Sequence, residues 1–207
     1  MVEQQSAEWF TQRLGKVTAS KISDVMAKTK SGYSATRKNY LMQLLCERLT
    51  GRKEESYTNA SMHRGTELEP QARSHYEALS GVMVEESGFV PHPTIKMSGA
   101  SPDGLVGVDG LVEIKCPNTA QHVDFLRTGQ IDTGYQLQML FQMMCTNRKW
   151  CDFVSYDDRM PIELQYKCVR FYFNSERAIE ISKEVSCFLA ELDSIESEMK
   201  LLIRSFE

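Results

Sequence analysis

This 207-residue sequence predicts an α/β fold, with a central mixed β-sheet flanked by helices and a long C-terminal helix. Three patterns predict it. Helical periodicity fills most of the first 80 residues, and strand-like runs then alternate with helical segments to residue 173. From Ser175 to Phe206 the apolar residues Ile181, Val185, Phe188, Leu192, Ile195, Met199, Leu202 and Phe206 recur at alternating steps of four and three. Helices, a strand cluster with helices interleaved, two more strands and a closing helix make a layered α/β sandwich. Nothing in the chain resembles a linker, so residues 1–207 read as one domain.

Each element has its own warrant. Trp9, Phe10 and Leu14 open an apolar-patterned segment, and Ser20 has the chemistry of an N-cap for a helix whose buried face is Ile22, Val25 and Met26. The basic run KTKSGYSATRK, residues 28–38, reads as a flexible loop. A second helix from about Thr36 to Thr50 carries Tyr40, Leu41, Leu44, Leu45 and Leu49, and Gly51 stops it. A third, from about Asn59 to Ser80, contains Pro70; it either bends at Glu69 or restarts there with the proline in its first turn.

Val82 to Val90 reads as a strand broken by Pro91 and Pro93, and Gly99 to Pro117 as a glycine-punctuated hairpin of two strands. Asn118 caps a helix reaching about Arg127. The helix Thr133–Thr146 is apolar almost all round, which buries it and singles out its glutamines Gln136, Gln138 and Gln142. Trp150–Tyr156 and Leu164–Phe173 are late strands. The closing helix packs its seam either on its own domain or on another subunit; the period fits both.

No apolar run approaches the ~20 residues of a membrane span, and the polar N-terminus has no signal-peptide character, so the protein is expected to be intracellular with no membrane partner. Its six cysteines form no C-x-x-C pair and have no histidine at zinc-finger spacing, which speaks against zinc and for buried free thiols. A net charge of −4 is unsuited to merely coating nucleic acid, but the charge is unevenly placed. Residues 1–64 hold 11 Lys and Arg against 6 Asp and Glu, whereas residues 65–173 hold 9 against 14. A basic N-terminal third beside an acidic centre suits a polyanion held by the first and cut with a metal in the second, with a scattered solvated surface as the alternative.

The chemistry concentrates between Gly99 and Pro117, in GASPDGLVGVDGLVEIKCP. Asp103 follows a Ser-Pro turn; ten residues on, an apolar strand carries Glu113-Ile114-Lys115. Alternation puts Glu113 and Lys115 on one face and sends Ile114 to the other. Each residue alone has a bland reading: a turn aspartate, an edge-strand charge, a solvent ion pair. Together, two carboxylates from neighbouring strands favour a shared divalent cation, and the amine can steady negative charge or polarise a water. That chemistry is metal-assisted phosphodiester hydrolysis.

SPDG followed by VEIKCP resembles the PD-(D/E)-x-K nuclease core, in the form used by the bacteriophage lambda-type exonuclease (YqaJ-like viral recombinase) family. The resemblance extends over nearly the whole chain, through WFTQRLGKVTAS, RGTELEPQAR, YQLQMLFQM and FVSYDDRM. It implies a restriction-endonuclease-like core. Asp103, Glu113 and the Ile114 carbonyl would hold Mg²⁺, with Mn²⁺ a substitute and two cations per site. Lys115 would orient or activate the attacking water, and Glu69 would serve a second metal or its water. Arg13, Ser20, Ser101 and Gln138 match the family's pocket for a terminal 5′-phosphate, and Met62 is a candidate wedge at the end base pair.

The family further implies a processive Mg²⁺-dependent 5′→3′ exonuclease on double-stranded DNA ends, releasing mononucleotides and leaving 3′ overhangs. A ring-shaped homotrimer, a single-strand annealing recombinase as partner, a role in phage-type recombination and the cytoplasm of a bacterial host come with it. The basic run 28–38 is then either a loop reaching over the duplex or a solvated one. Alternatives are a nuclease of the same core acting on single-strand ends or junctions, and a non-catalytic DNA-end-binding module. The intact acid–acid–lysine set disfavours the module.

Overall fold

A computed structural model describes residues 4–53 and 60–204, with side chains over 4–53 and 63–202. The Met62 side chain and Phe206 lie outside that description. In chain order the elements are α1 (Ala7–Arg13), β1 (Val17–Thr18), a 3₁₀ turn (Ala19–Lys21), α2 (Ile22–Met26), β2 (Lys28–Thr29), β3 (Gly32–Tyr33), α3 (Ala35–Thr50) and α4 (Ala60–Ser80). Next come β4 (Val84–Glu85), β5 (Val90–Pro91), β6 (Ser98–Ala100), β7 (Gly104–Val106), β8 (Gly110–Lys115), α5 (Thr119–Thr128) and α6 (Thr133–Thr146). β9 (Trp150–Tyr156), β10 (Tyr166–Tyr172) and α7 (Ser175–Arg204) close the chain.

The central sheet runs β10-β9-β8-β7-β4. Its β8–β9 pair is parallel and its other pairs antiparallel, so it is the mixed sheet expected. The pleat of β8 divides the protein into two cores. Leu111 and, on β9, Cys151 and Phe153 face a large cluster with α2, α3, α6 and α7, while Val112, Ile114, Val154 and Tyr156 face Ala72 and Tyr76 of α4. Glu113 and Lys115 therefore stand on the α6 side, and the apolar neighbours that alternate with them anchor the strand from behind.

Several sequence expectations change in three dimensions. Residues 82–90 are not one strand: β4 joins the central sheet, whereas β5 joins a separate small sheet, β1-β6-β5. The 99–117 stretch likewise supplies three strands to two sheets, with β6 parallel to β1. Its glycines do more than turn the chain. A Cβ on Gly104 would lie 2.0 Å from Val84 Cγ1 and one on Gly110 would lie 2.1 Å from the Trp150 ring, so both positions make room for side chains crossing the sheet.

Ser20 is not the N-cap of α2. It lies within the 3₁₀ turn, and Lys21 takes the cap position without a side-chain cap bond. The basic run 28–38 forms the β2–β3 hairpin and the start of α3, with Ser34 accepting the Arg37 N–H as cap. Glu184 of α7 pins that hairpin, accepting from Lys28 Nζ at 2.6 Å and from the Tyr33 hydroxyl at 2.9 Å. The segment is an anchored ribbon, not a loose loop. Helix α4 runs through Pro70 without restarting; Ala72 and Tyr76, both buried and two and six residues later, dock it on the sheet and override the local break signal.

The α7 seam packs on its own domain over Ile181, Val185, Phe188 and Leu192, all fully buried. Farther along the same seam, Met199 is 37% and Leu202 53% exposed. Among the six free cysteines, Cys116, Cys145 and Cys151 are buried, as expected of core thiols, while Cys187 is exposed.

Candidate active site

Asp103 and Glu113 meet because of strand register. β7 and β8 pair antiparallel with Gly104 opposite Val112, so the next position brings Asp103 opposite Glu113 just past the end of the ladder. There Asp103 Oδ2 accepts the Ile114 N–H at 2.7 Å, and a side chain takes over from the backbone. Burial, reinforced by Glu113 and by Glu69, pushes the Asp103 carboxyl well above its usual range, and Lys115 offsets only part of this. Two acids close enough to raise one of them are what a cation would relieve.

Glu113 is fully buried and held by three donors. Its Oε1 accepts from Gln138 Nε2 at 2.6 Å and from Lys115 Nζ, and its Oε2 accepts from Gln142 Nε2 at 2.6 Å. Gln138 and Gln142 are one helical turn apart on α6, which is why both amides reach the same carboxylate. Burial works against the Lys115 ammonium, but Glu113 and Asp103 outweigh it and raise its pKa. Lys115 is therefore a fixed positive charge, packed with its nitrogen 5.4 Å from the centre of the Tyr135 ring.

Glu69 approaches from α4. Its Oε1 accepts from Arg73 Nη2 at 3.0 Å, and Arg73 is in turn held by Glu86 at 2.7 Å. Among the described residues no group of three or more His, Cys, Asp or Glu side chains is arranged to hold a metal by itself. The donors at hand are two carboxylates and backbone oxygen, all hard. They fit Mg²⁺, which uses one or two carboxylates and takes its remaining ligands from water and substrate phosphate.

Arg13, at the end of α1, donates from Nη1 to Ser101 Oγ at 3.0 Å, and the Trp9 indole N–H donates to the same oxygen at 2.9 Å. The Arg13 guanidinium also lies over the Trp9 ring, 4.0 Å from its centre. Burial lowers the Arg13 pKa to about 10, against the pull of Tyr40 and Glu47, so the group stays cationic at neutral pH. Arg13 and Ser20 line a cavity of about 350 Å³ with Lys16, Lys21 and Lys53. Ser101 ties it to the acids, since only Pro102 separates Ser101 from Asp103.

Of the four residues expected at a terminal phosphate, Arg13 and Ser20 thus share a cavity and Ser101 holds Arg13, while Gln138 donates to Glu113. The sequence singled out Gln142 only as one of three glutamines on a buried helix and Trp9 only as an apolar residue, with no site role for either. Each lies four residues from a residue it had named, Gln138 and Arg13, and that helical spacing was the signal available.

The comparisons with known proteins bear on this arrangement. Residues 8–149 match the model of the YqaJ-like viral recombinase domain. The chain belongs to that family. It is similar to an alkaline exonuclease, LHK-Exo, from Laribacter hongkongensis: 50% identity, 98% of this chain and 100% of that one covered, TM-score 0.92. A second structure of LHK-Exo, in complex with dAMP, matches at 51% identity with the same coverage and TM-score. A phage-related exonuclease from Haemophilus somnus 129PT, at 17% identity, 89% and 96% coverage and TM-score 0.75, shares the fold. The architecture is the restriction-endonuclease-like one. An uncharacterised protein, R354, of Acanthamoeba polyphaga mimivirus is 28% identical over 168 residues, 73% of this chain, and the match spans 29% of that protein's length.

Proposed function

We propose that the protein is a Mg²⁺-dependent exonuclease that digests double-stranded DNA from 5′-phosphorylated ends, 5′→3′, releasing mononucleotides and leaving 3′ overhangs. The observation that carries the proposal is the meeting of Asp103, Glu113 and Lys115 at the open end of the β7–β8 ladder, with a cationic cavity around Arg13 tied to it through Ser101. Family membership and similarity to an alkaline exonuclease crystallised with dAMP support the same reading.

In this reading Asp103, Glu113 and the Ile114 carbonyl hold the cation, with Glu69 serving a second one or its water; Mn²⁺ substitutes. When bound, the cation supplies Lewis acidity toward the phosphoryl oxygens. Lys115, held as an ammonium, orients the attacking water and offsets the negative charge that develops. It does so without taking a proton. Arg13, with Ser20, Ser101 and Gln138, receives the terminal phosphate. That dianion offers one more charged oxygen than an internal diester, so the pocket selects ends.

A ring-shaped homotrimer threaded by DNA would make digestion processive and would let a chain of net charge −4 keep hold of its substrate. The overhangs would feed a single-strand annealing recombinase in the cytoplasm of a bacterial host. No described helix is long and apolar enough to cross a membrane.

Linear duplex with 5′-phosphate or 5′-hydroxyl ends, incubated with Mg²⁺ or Ca²⁺, tests the reading. Mononucleotides released from phosphorylated ends in Mg²⁺ are expected. Undiminished cutting by Asp103→Ala would sink the site, and equal digestion of both ends would sink the phosphate pocket.

A further inference from the structure

Gln142 is the one polar side chain of α6 with no exposure at all, on a helix whose neighbouring positions Met139, Phe141 and Met143 are core. Its amide is used on one side only. Nε2 donates to Glu113 Oε2 at 2.6 Å, while the amide oxygen is buried without a hydrogen-bond partner. A residue kept for packing at such a position would be Leu or Met, since an unpaired buried carbonyl is unfavourable. The carboxylate of Glu113 is what accounts for an amide there.

The distribution of donors over Glu113 says what that amide does. A carboxylate offers about four in-plane acceptor sites, two per oxygen. Oε1 receives both Gln138 Nε2 and Lys115 Nζ, whereas Oε2 receives Gln142 alone. The acceptor site left open is therefore on Oε2. We infer that Gln142 is a positioning residue for the divalent cation: its N–H occupies one lone pair of Glu113 Oε2, fixes the rotation of the carboxylate, and turns the remaining lone pair toward the position shared with Asp103. The inference rests on the proposed metal-dependent reading of the site. Gln142 touches neither the substrate nor the reacting atoms; it acts through Glu113.

Calorimetric titration of the full chain with Mn²⁺, without DNA, tests this apart from catalysis. Gln142→Met keeps the volume and removes the donor, along with the unpaired oxygen. Cation affinity should fall about 10- to 100-fold, and the thermal midpoint of the cation-free protein should fall as well, because buried Glu113 Oε2 loses its donor, so the isotherm is the deciding readout. Gln138→Met, whose oxygen keeps Lys115, should lose less affinity. An unchanged Mn²⁺ isotherm in Gln142→Met would overturn the inference and make Gln142 a packing residue. Should that variant not fold, Gln142→Asn, one methylene too short to reach, is expected to weaken binding in the same direction, and wild-type affinity there would equally overturn it. A wild-type isotherm indistinguishable from that of Asp103→Asn would instead overturn the metal-dependent reading beneath it.

Discussion

Asp103 Oδ2 accepts the Ile114 N–H at 2.7 Å, so the candidate just before β7 is bonded to the β8 backbone between the other two candidates. This bond sets the spacing of Asp103 from both Glu113 and Lys115. It also makes the pair sensitive to changes that leave the bond intact and remove charge.

Asp103→Asn keeps an acceptor for Ile114 and relieves the burial cost and the Glu113 repulsion that raise the native carboxyl. The thermal midpoint should hold or rise. Cation-dependent hydrolysis should fall by about 10³-fold or more, the loss of several kcal/mol of charge stabilisation. Melting curves and a nuclease assay on one preparation check both halves.

Lys115→Met removes the ammonium that shares Glu113 Oε1 with Gln138. A drop in kcat of about 10²- to 10⁴-fold is expected. Because the native amine's pKa is raised, the wild-type rate should show no titration of Lys115 through neutral and mildly alkaline pH. A pH–rate profile from pH 6 to 9 measures it.

Arg13→Ala leaves Ser101 with the Trp9 indole as donor and removes the guanidinium from the cavity lining. Charged hydrogen bonds of this kind are worth about 1.5–3 kcal/mol, or roughly 10- to 100-fold. That loss should fall on 5′-phosphorylated ends, with 5′-hydroxyl ends little changed. Parallel KM measurements on the two substrates decide it.

Asp157, fully buried after β9, accepts from Arg64, Arg159 and Thr119 at 2.7–2.8 Å. Burial alone would raise its carboxyl, but the Arg159 and Thr119 bonds outweigh it and hold it well below the usual range. A carboxyl depressed in the folded state stabilises the protein above its unfolded value, near 3.9, and that contribution is lost as pH falls toward the folded value. Wild type should therefore lose stability steeply below about pH 4. Asp157→Asn should be less stable at pH 7 by about 1–3 kcal/mol and show a shallower acid limb. Urea melts at several pH values test this.

Phe188 stacks on Tyr40, ring centres 5.5 Å apart, at the fully buried part of the α7 seam. Phe188→Ala should cost about 3–5 kcal/mol. Leu202→Ala, on the same seam but more than half exposed, should leave unfolding of the single chain almost unchanged. Denaturant midpoints of the two variants make the comparison.

Sequence by itself determined most of the elements and which residues are the candidates for chemistry. Asp103, Glu113 and Lys115 were legible because strand alternation and a proline-led turn are local facts. The limits of α6 and β9 were legible because period and cap are local too. Tertiary structure decided whatever depended on a distant partner. Residues 82–90 divided between two sheets because β7 and β6 captured their ends. The basic run 28–38 became a fixed hairpin because Glu184, some 150 residues away, accepts from both its strands. Gln142 read as one polar residue among several on a buried helix until packing set it against Glu113, and Gln138 came to rest on the same carboxylate. Periodicity says which face of a helix is buried; only the fold says what that face meets.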